Sequence, residues 1–457
     1  MKLHFDKDFN WGVATTAIQI EGGVDQDGRA PSMWPEFARR PGKVKHGDVP
    51  DHSARSYEFL TRDLDACARL NLKSYNFSAS WPRLLPPGGK ANQKSLDYYN
   101  RLIDGLLERG IKPDLSLYDW DLPLEYARAG GWGQRDLVER FGEYTDLLIR
   151  SFGDRVTQWM TFNEVSTQAT NGYKSGNHAP GYKDRQHCLR AYHHLLLAHG
   201  KSVQQLRAAS NEIEISFVDN LLRYTPATVS DADRRATDRQ LDMNTYYLLD
   251  CLFKGEMRES FVRHNVDVQG CNFNHVQSSD LDIISTPFDK FGVNYFTSFV
   301  VADSKEKPGK DEKVKAAPGP KSDLGWTIDP HGLLLSLRSL RDHYTGDLPL
   351  FIGECGIDNA DYVNPAGEVN DSERVDYLRQ HLHKVHRAID EGIPIKGFYV
   401  WSLMDNFEWQ AGYKKRFGLF YTPYQSPGQF VIKKSGKWFA ELAKTGELEV
   451  KEEKDPK

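Results

Sequence analysis

The sequence predicts a single closed (β/α)8 barrel, the TIM-barrel class of α/β fold. Two observations carry the prediction. Eight short β-rich runs alternate with amphipathic helical stretches along the chain, the pattern of a parallel sheet built from strand–helix units. No repeat of fixed period and no Ser/Gly linker divides the 457 residues, so the length reads as one unit, as α/β barrels allow. An open doubly wound sheet is the competing arrangement, but no GxGxxG follows an early strand.

The strand candidates are residues 11–15, 73–78, 113–117, 158–162, 214–218, 291–295, 350–353 and 397–401. Between the second and third, residues 92–109 place Leu96, Tyr99, Leu102, Ile103, Leu106 and Leu107 on one stripe at i, i+3, i+4 spacing, which predicts a helix. Residues 136–152, 187–209, 234–254, 333–343 and 371–391 read as helices for the same reason. Gly110 and Gly153 stand where C-terminal caps belong. Residues 303–323, rich in Lys, Pro and Gly, read as an exposed loop. The barrel domain is expected over 1–446, with 447–457 a charged tail that frays.

Composition narrows the function. Apolar residues at 39% and charged residues at 27% describe a globular chain, not a disordered one. Lys+Arg 59 against Asp+Glu 64 gives a net charge of −5, which speaks against nucleic acid or an anionic membrane as partner. The start, Met1 to Asp6, lacks the apolar core of a signal peptide, and no run approaches the ~20 residues of a membrane span. Five scattered cysteines without a CxxC are expected to be reduced thiols in a cytoplasmic chain. His193, His194 and His199 lie on a helical pattern that reads as packing, so neither a metal nor a cofactor is expected. Self-association as a homo-oligomer stays open. Aromatic residues reach 12%, which suits a cleft whose rings face the C–H faces of a sugar.

In a (β/α)8 barrel the chemistry sits at the C-terminal ends of the strands. The fourth strand ends in Thr161-Phe162-Asn163-Glu164 and the seventh in Gly353-Glu354-Cys355-Gly356. Each ends in a carboxylate, and the two strands are expected to face each other across the barrel. Two carboxylates converging on one bond are what retaining glycoside hydrolysis needs, with a separation of roughly 5–5.5 Å.

Several segments resemble glycoside hydrolase family 1, the β-glucosidase family, from about Phe9 to Leu442. They include Gln19-Ile20-Glu21-Gly22, Trp120-Asp121-Leu122-Pro123, Thr161-Phe162-Asn163-Glu164, His178-Ala179-Pro180-Gly181, Gly292-Val293-Asn294-Tyr295 and the run from Trp401 to Trp409. The resemblance implies a retaining β-glycosidase acting on a small glycoside or oligosaccharide. Glu164 would be the acid/base and Glu354 the nucleophile. Asn163 would donate to the sugar 2-hydroxyl, and Tyr295 would hydrogen-bond Glu354. Gln19, Glu408 and Trp409 would hold the outer hydroxyls over a floor made by Trp401. Glu408 would repel a sugar phosphate, so a non-phosphorylated glycone is implied despite Lys414-Lys415-Arg416 nearby.

Four positions depart from the family pattern. Asn76 replaces an Arg that lies near the nucleophile, and Asp119 replaces a His that touches equatorial hydroxyls. Cys355 and Val165 follow the two carboxylates where Asn and Pro are usual. Losing the Arg should raise the pKa of Glu354. An altered glycone preference, or a weak or inactive sugar-binding descendant, are the alternatives to ordinary activity.

Overall fold

The structure, a computed structural model, describes residues 1–450. Eight parallel strands close a barrel: β1 (Asn10–Thr15), β2 (Ser74–Ser78), β3 (Lys112–Tyr118), β4 (Gln158–Asn163), β5 (Glu214–Asn220), β6 (Lys290–Asn294), β7 (Leu350–Cys355) and β8 (Ile395–Trp401). They pair in chain order, and β8 returns to β1 with Phe398 opposite Trp11. The main outer helices are α1 (Leu60–Arg69), α2 (Gln93–Glu108), α3 (Asp136–Phe152), α4 (Arg185–Ala209), α5 (Asp231–Leu241), α6 (Tyr247–Lys254), α7 (Pro330–Leu340), α8 (Ser372–Asp390) and α9 (Lys434–Thr445).

Local chemistry explains these limits. The side chain of Asn92 caps α2 by accepting from the Ser95 N–H, and Gly110 follows the helix at φ +70°. The α2 stripe is buried from Leu96 to Leu106, but Leu107 is 40% exposed, because the buried face ends at Leu106. Gly153 ends α3 at φ −66°, so it is no left-handed cap; a Cβ there would sit 2.6 Å from the Ile149 carbonyl. The stretch 234–254 is two helices: a wide turn over Asp242–Tyr246 separates α5 from α6, and Arg258 and Ser260 bind the Asp242 carboxylate there.

The barrel is filled from within. Met160, Val218, Phe351 and Tyr399 form one internal cluster. Glycines admit these rings: a Cβ on Gly12 would lie 2.5 Å from the Tyr399 ring, and one on Gly292 would lie 2.5 Å from Phe351 and from Val218. Below them Lys290 pairs with Glu214 at 2.7 Å. Packing therefore closes the lower barrel, and the site's cavity opens at the C-terminal ends of the strands.

Residues 303–323 are not simply a loop. Ser298–Asp303 and Glu312–Ala316 form an antiparallel hairpin, joined by Arg223–Pro226 into a three-stranded sheet. Alternation along Glu312–Ala316 turns Val314 to the cavity wall. The tail is also partly ordered, since Glu447–Glu449 pairs antiparallel with Lys2–His4; residues 451–457 lie outside the described residues. His193, His194 and His199 each find a separate partner, in Asp280, the Trp132 carbonyl and Thr161, and so tie α4 to the barrel.

Candidate active site

A cavity of about 540 Å³ opens at the C-terminal ends of the strands. Its wall includes Gln19, Asp119, Asn163, Glu164, Glu354, Trp401, Glu408 and Trp409. Eight of the ten residues predicted for the site thus meet in one space; Tyr295 and Asn76 do not reach its wall.

Glu354 is the inward residue near the end of β7, and Glu164 follows β4 directly. The strands are three steps apart around the ring, with β5 and β6 between them, so they do not stand opposite each other. The gap is spanned by two amides. Asn163 Nδ2 donates to Glu354 Oε1 at 2.9 Å. Asn294 Nδ2, from β6, donates to Asn163 Oδ1 at 3.1 Å and to Glu164 Oε1 at 2.8 Å. Asn294 was not singled out from sequence as a site residue, although it stands inside a recognised motif; its inward position at the end of β6 was the available signal. Glu164 adopts φ +50°, a left-handed conformation uncommon for a non-glycine residue. Trp120 (φ +58°) and Trp409 (φ +44°) share that region and also line the cavity. Three of the eight non-glycine residues with positive φ among the described residues thus stand on the cavity wall, where functional sites can hold backbone strain.

Both carboxyls titrate above the ordinary range. Burial pushes Glu164 up, against hydrogen bonds from Asn294, Thr167 and Asn220. Burial pushes Glu354 up further, reinforced by the charges of Glu164 and Asp119 and opposed by the Asn163 amide. Asp119, beyond β3, accepts from Thr16 Oγ1 at 2.6 Å and from Asn163 Nδ2 at 3.4 Å; burial pushes it up to about 7. Burial, with Asp358 nearby, pushes Glu408 up to about 8, against a hydrogen bond from Trp401. Gln19 donates its Nε2 to the Phe407 carbonyl at 2.8 Å, which turns its oxygen free. Trp401 packs with Ala14, Phe296 and Phe417 as an apolar floor. Trp409 lies between Trp120 and Trp34, at ring distances of 4.8 and 4.4 Å.

Known proteins resemble this chain over nearly its whole length. The family described as Glycosyl hydrolase family 1 matches residues 1–448. Beta-glucosidase A of Thermotoga maritima is 38% identical over 447 residues, covering 97% of this chain and 99% of that protein. The 1,4-beta-D-glucan glucohydrolase of Thermotoga neapolitana is 39% identical over 446 residues, with shares of 97% and 99%. The solved family 1 β-glucosidase of Thermotoga maritima superposes with a TM-score of 0.92 at 37% identity, covering 98% of this chain and 99% of that one. The chain belongs to glycosyl hydrolase family 1.

Within this family 1 chain, one expectation about a contact to the Glu354 carboxylate is corrected. Tyr295 does not hydrogen-bond the Glu354 side chain. Strand β6 ends at Asn294, which points inward, so Tyr295 points outward into the helix layer. Its hydroxyl donates to the Asp329 carbonyl at 3.0 Å, in space left by Gly332, and only its backbone N–H reaches the Glu354 carbonyl oxygen, at 2.9 Å. The aromatic residue of that segment on the cavity wall is Phe296, which has no hydroxyl. Asn76, where the resemblance implies an Arg, supplies Glu354 with no replacement donor; its Nδ2 donates to the Asp114 carbonyl at 3.2 Å, within the barrel wall.

The remaining departures lie behind the cavity. Cys355 points away from it and donates to the Tyr377 hydroxyl; burial pushes its thiol up to about 12, which leaves it inert. Val165 opens the short helix Val165–Gln168, a position that suits Val or Pro because its N–H has no partner within the helix. Lys415 and Arg416 are taken up by Asp358 and Asp405, at 3.4 and 2.7 Å. Among the described residues no helix is long and apolar enough to cross a membrane.

Proposed function

We propose that the protein hydrolyses terminal, non-phosphorylated β-D-glycosides with retention, by double displacement at Glu164 and Glu354. The observation that carries this reading is the shared bridge: the two carboxyls enter one cavity and are tied through Asn163 and Asn294. In the first step a Glu354 oxygen attacks the anomeric carbon while the bond from that carbon to the leaving oxygen breaks, and Glu164 gives that oxygen its proton. In the second, Glu164 takes a proton from water, the water oxygen bonds the anomeric carbon, and the bond to Glu354 breaks. The burial that raises Glu164 favours the protonated form that the first step needs. In this reading Asn163 meets the sugar hydroxyl beside the anomeric carbon, Trp401 lies beneath the ring, and Gln19, Glu408 and Trp409 hold its far edge. The relatives named as β-glucosidases support a glucose-like ring shape. Residues 1–446 act as one catalytic domain, and five free cysteines suit the cytoplasm.

A second reading has its own observation. Among the described residues no cation pairs with Glu354, since Asn76 stands where the resemblance implies an Arg and turns elsewhere. A nucleophile left protonated would make the protein a sugar-binding relative without turnover. A panel of aryl β-glycosides decides between them. Turnover of any member above buffer, lost in Glu354→Gln, supports the hydrolase. Absence of turnover, with sugars still raising the thermal midpoint, supports the binding protein.

A further inference from the structure

The glycone end of the cavity has an unusual charge balance. Glu164, Glu354, Asp119 and Glu408 face it together, and among the described residues none of the four makes an ion pair. Lys174 is the one Lys or Arg on the wall, but its charged neighbours are Arg185, Glu312 and Asp311, on the hairpin side. His178 is held neutral, its pKa lowered by burial to about 4. The buried wall atoms that lack a hydrogen-bond partner are Gln19 Oε1, Asp119 Oδ1, Asn220 Oδ1, Glu408 Oε2 and His178 Nδ1. Four of these are oxygens that can accept. Asp119 and Glu408 are each only 8% exposed and Gln19 is fully buried, so the protein itself offers these atoms no partner and they face the cavity.

Buried acceptors without donors are costly, and buried carboxylates without counter-charge more so. A ligand matched to this wall brings hydrogen-bond donors and positive charge in one group. A sugar hydroxyl supplies one donor and no charge, whereas an ammonium supplies three donors and a full charge. We propose that the preferred glycone is an amino sugar whose ammonium, on ring carbon 2 or 3, docks on the free Oδ1 of Asp119.

The position follows from the amide bridge. Asn163 Nδ2 contacts both Glu354 Oε1 and Asp119 Oδ2, so Asp119 lies one amide away from the oxygen that attacks carbon 1. Groups on carbons 2 and 3 are the ones this wall reaches. Thr16 fixes the carboxyl by donating to its other oxygen, which leaves Oδ1 aimed at the ligand. The same ammonium would provide the positive charge that the pocket wall lacks around Glu354, favouring its ionised form only when the matched glycone is in place.

This inference rests on the hydrolase reading for its kinetic test and on the cavity alone for its binding test. The intact protein is assayed at pH 7 on 4-nitrophenyl glycosides of β-glucose, 2-amino-2-deoxy-β-glucose, 3-amino-3-deoxy-β-glucose and N-acetyl-β-glucosamine. One of the two amino glycosides is expected to exceed the glucoside in kcat/KM by about tenfold or more, and the uncharged N-acetyl glycoside not to. Asp119→Asn, which keeps the shape and removes the charge, is expected to abolish that ratio. A glucoside turned over as well as both amino glycosides, or a ratio that survives Asp119→Asn, overturns the inference and leaves the hydrolase standing. If nothing is cleaved, the hydrolase reading falls by itself, and calorimetric titration decides. An amino sugar binding about tenfold tighter than glucose supports the inference, and equal or weaker binding overturns it.

Discussion

Glu354 holds the centre of the account, and its surroundings make it testable alone. It accepts from Asn163 and faces Glu164 and Asp119, and among the described residues no guanidinium pairs with it. Glu354→Gln keeps the amide contact but removes the nucleophile, so kcat should fall on the order of 10³-fold or more, read in the aryl glycoside assay. Asp119→His would return a neutral donor to a wall of acceptors; glucoside kcat/KM is expected to rise several-fold, and a fall would show that Asp119 is matched to glucose. Glu408 offers a prediction without substrate. Its pKa is raised by burial to about 8, above that of an unfolded carboxyl. The folded state therefore holds a proton that the unfolded state releases, and its stabilising effect, full below pH ~4, is lost as pH rises to ~8. In Glu408→Gln that loss is absent. The melting temperature of the variant relative to the wild type should rise by roughly 3 °C between pH 5 and pH 8; parallel curves would remove Glu408 from the titration.

At the scale of elements, the sequence was legible where periodicity alone decides and illegible where parity or tertiary pairing does. All eight barrel strands fall where β-rich runs predict them, because each is buried on both faces and reads as an apolar run. The residue that ends a strand was harder to place. The run 291–295 extends to Tyr295 but β6 ends at Asn294, and the contact to Glu354 that the resemblance assigns to the Tyr295 hydroxyl is made by the Asn163 amide instead. The strand Glu312–Ala316 inside 303–323 was hidden because the surrounding Lys, Pro and Gly describe an edge and a turn equally well, and only pairing to Ser298–Asp303 distinguishes them. The glycine rule within the barrel is testable here. Gly292→Ala places a methyl against Phe351 and Val218, and overpacking of this kind should cost ~1–3 kcal/mol in urea unfolding; an unchanged midpoint would mean that the rings shift freely.

For the whole molecule, the folded ring concentrates one kind of group, the carboxyl, where the net charge gives no hint of it. The chain carries −5 overall, yet four carboxyls converge on one cavity while the cations pair elsewhere, as Lys415 and Arg416 do with Asp358 and Asp405. Motifs made the cavity's members readable in advance, since strand ends in a barrel have a known destination. Their directions were not readable, because a side chain's target depends on neighbours far away in sequence, such as Gly332 under Tyr295 or Thr16 against Asp119.

The most direct test of double displacement uses Glu164→Gln with a β-glycoside bearing a dinitrophenyl leaving group, which needs no acid to depart. Without a base to activate water, the second step slows and the sugar should remain on the enzyme. Peptide mass spectrometry is then predicted to show one glycosyl unit attached at Glu354. Turnover of that substrate with no adduct, or an adduct on another residue, would contradict the assignment of Glu164 and Glu354.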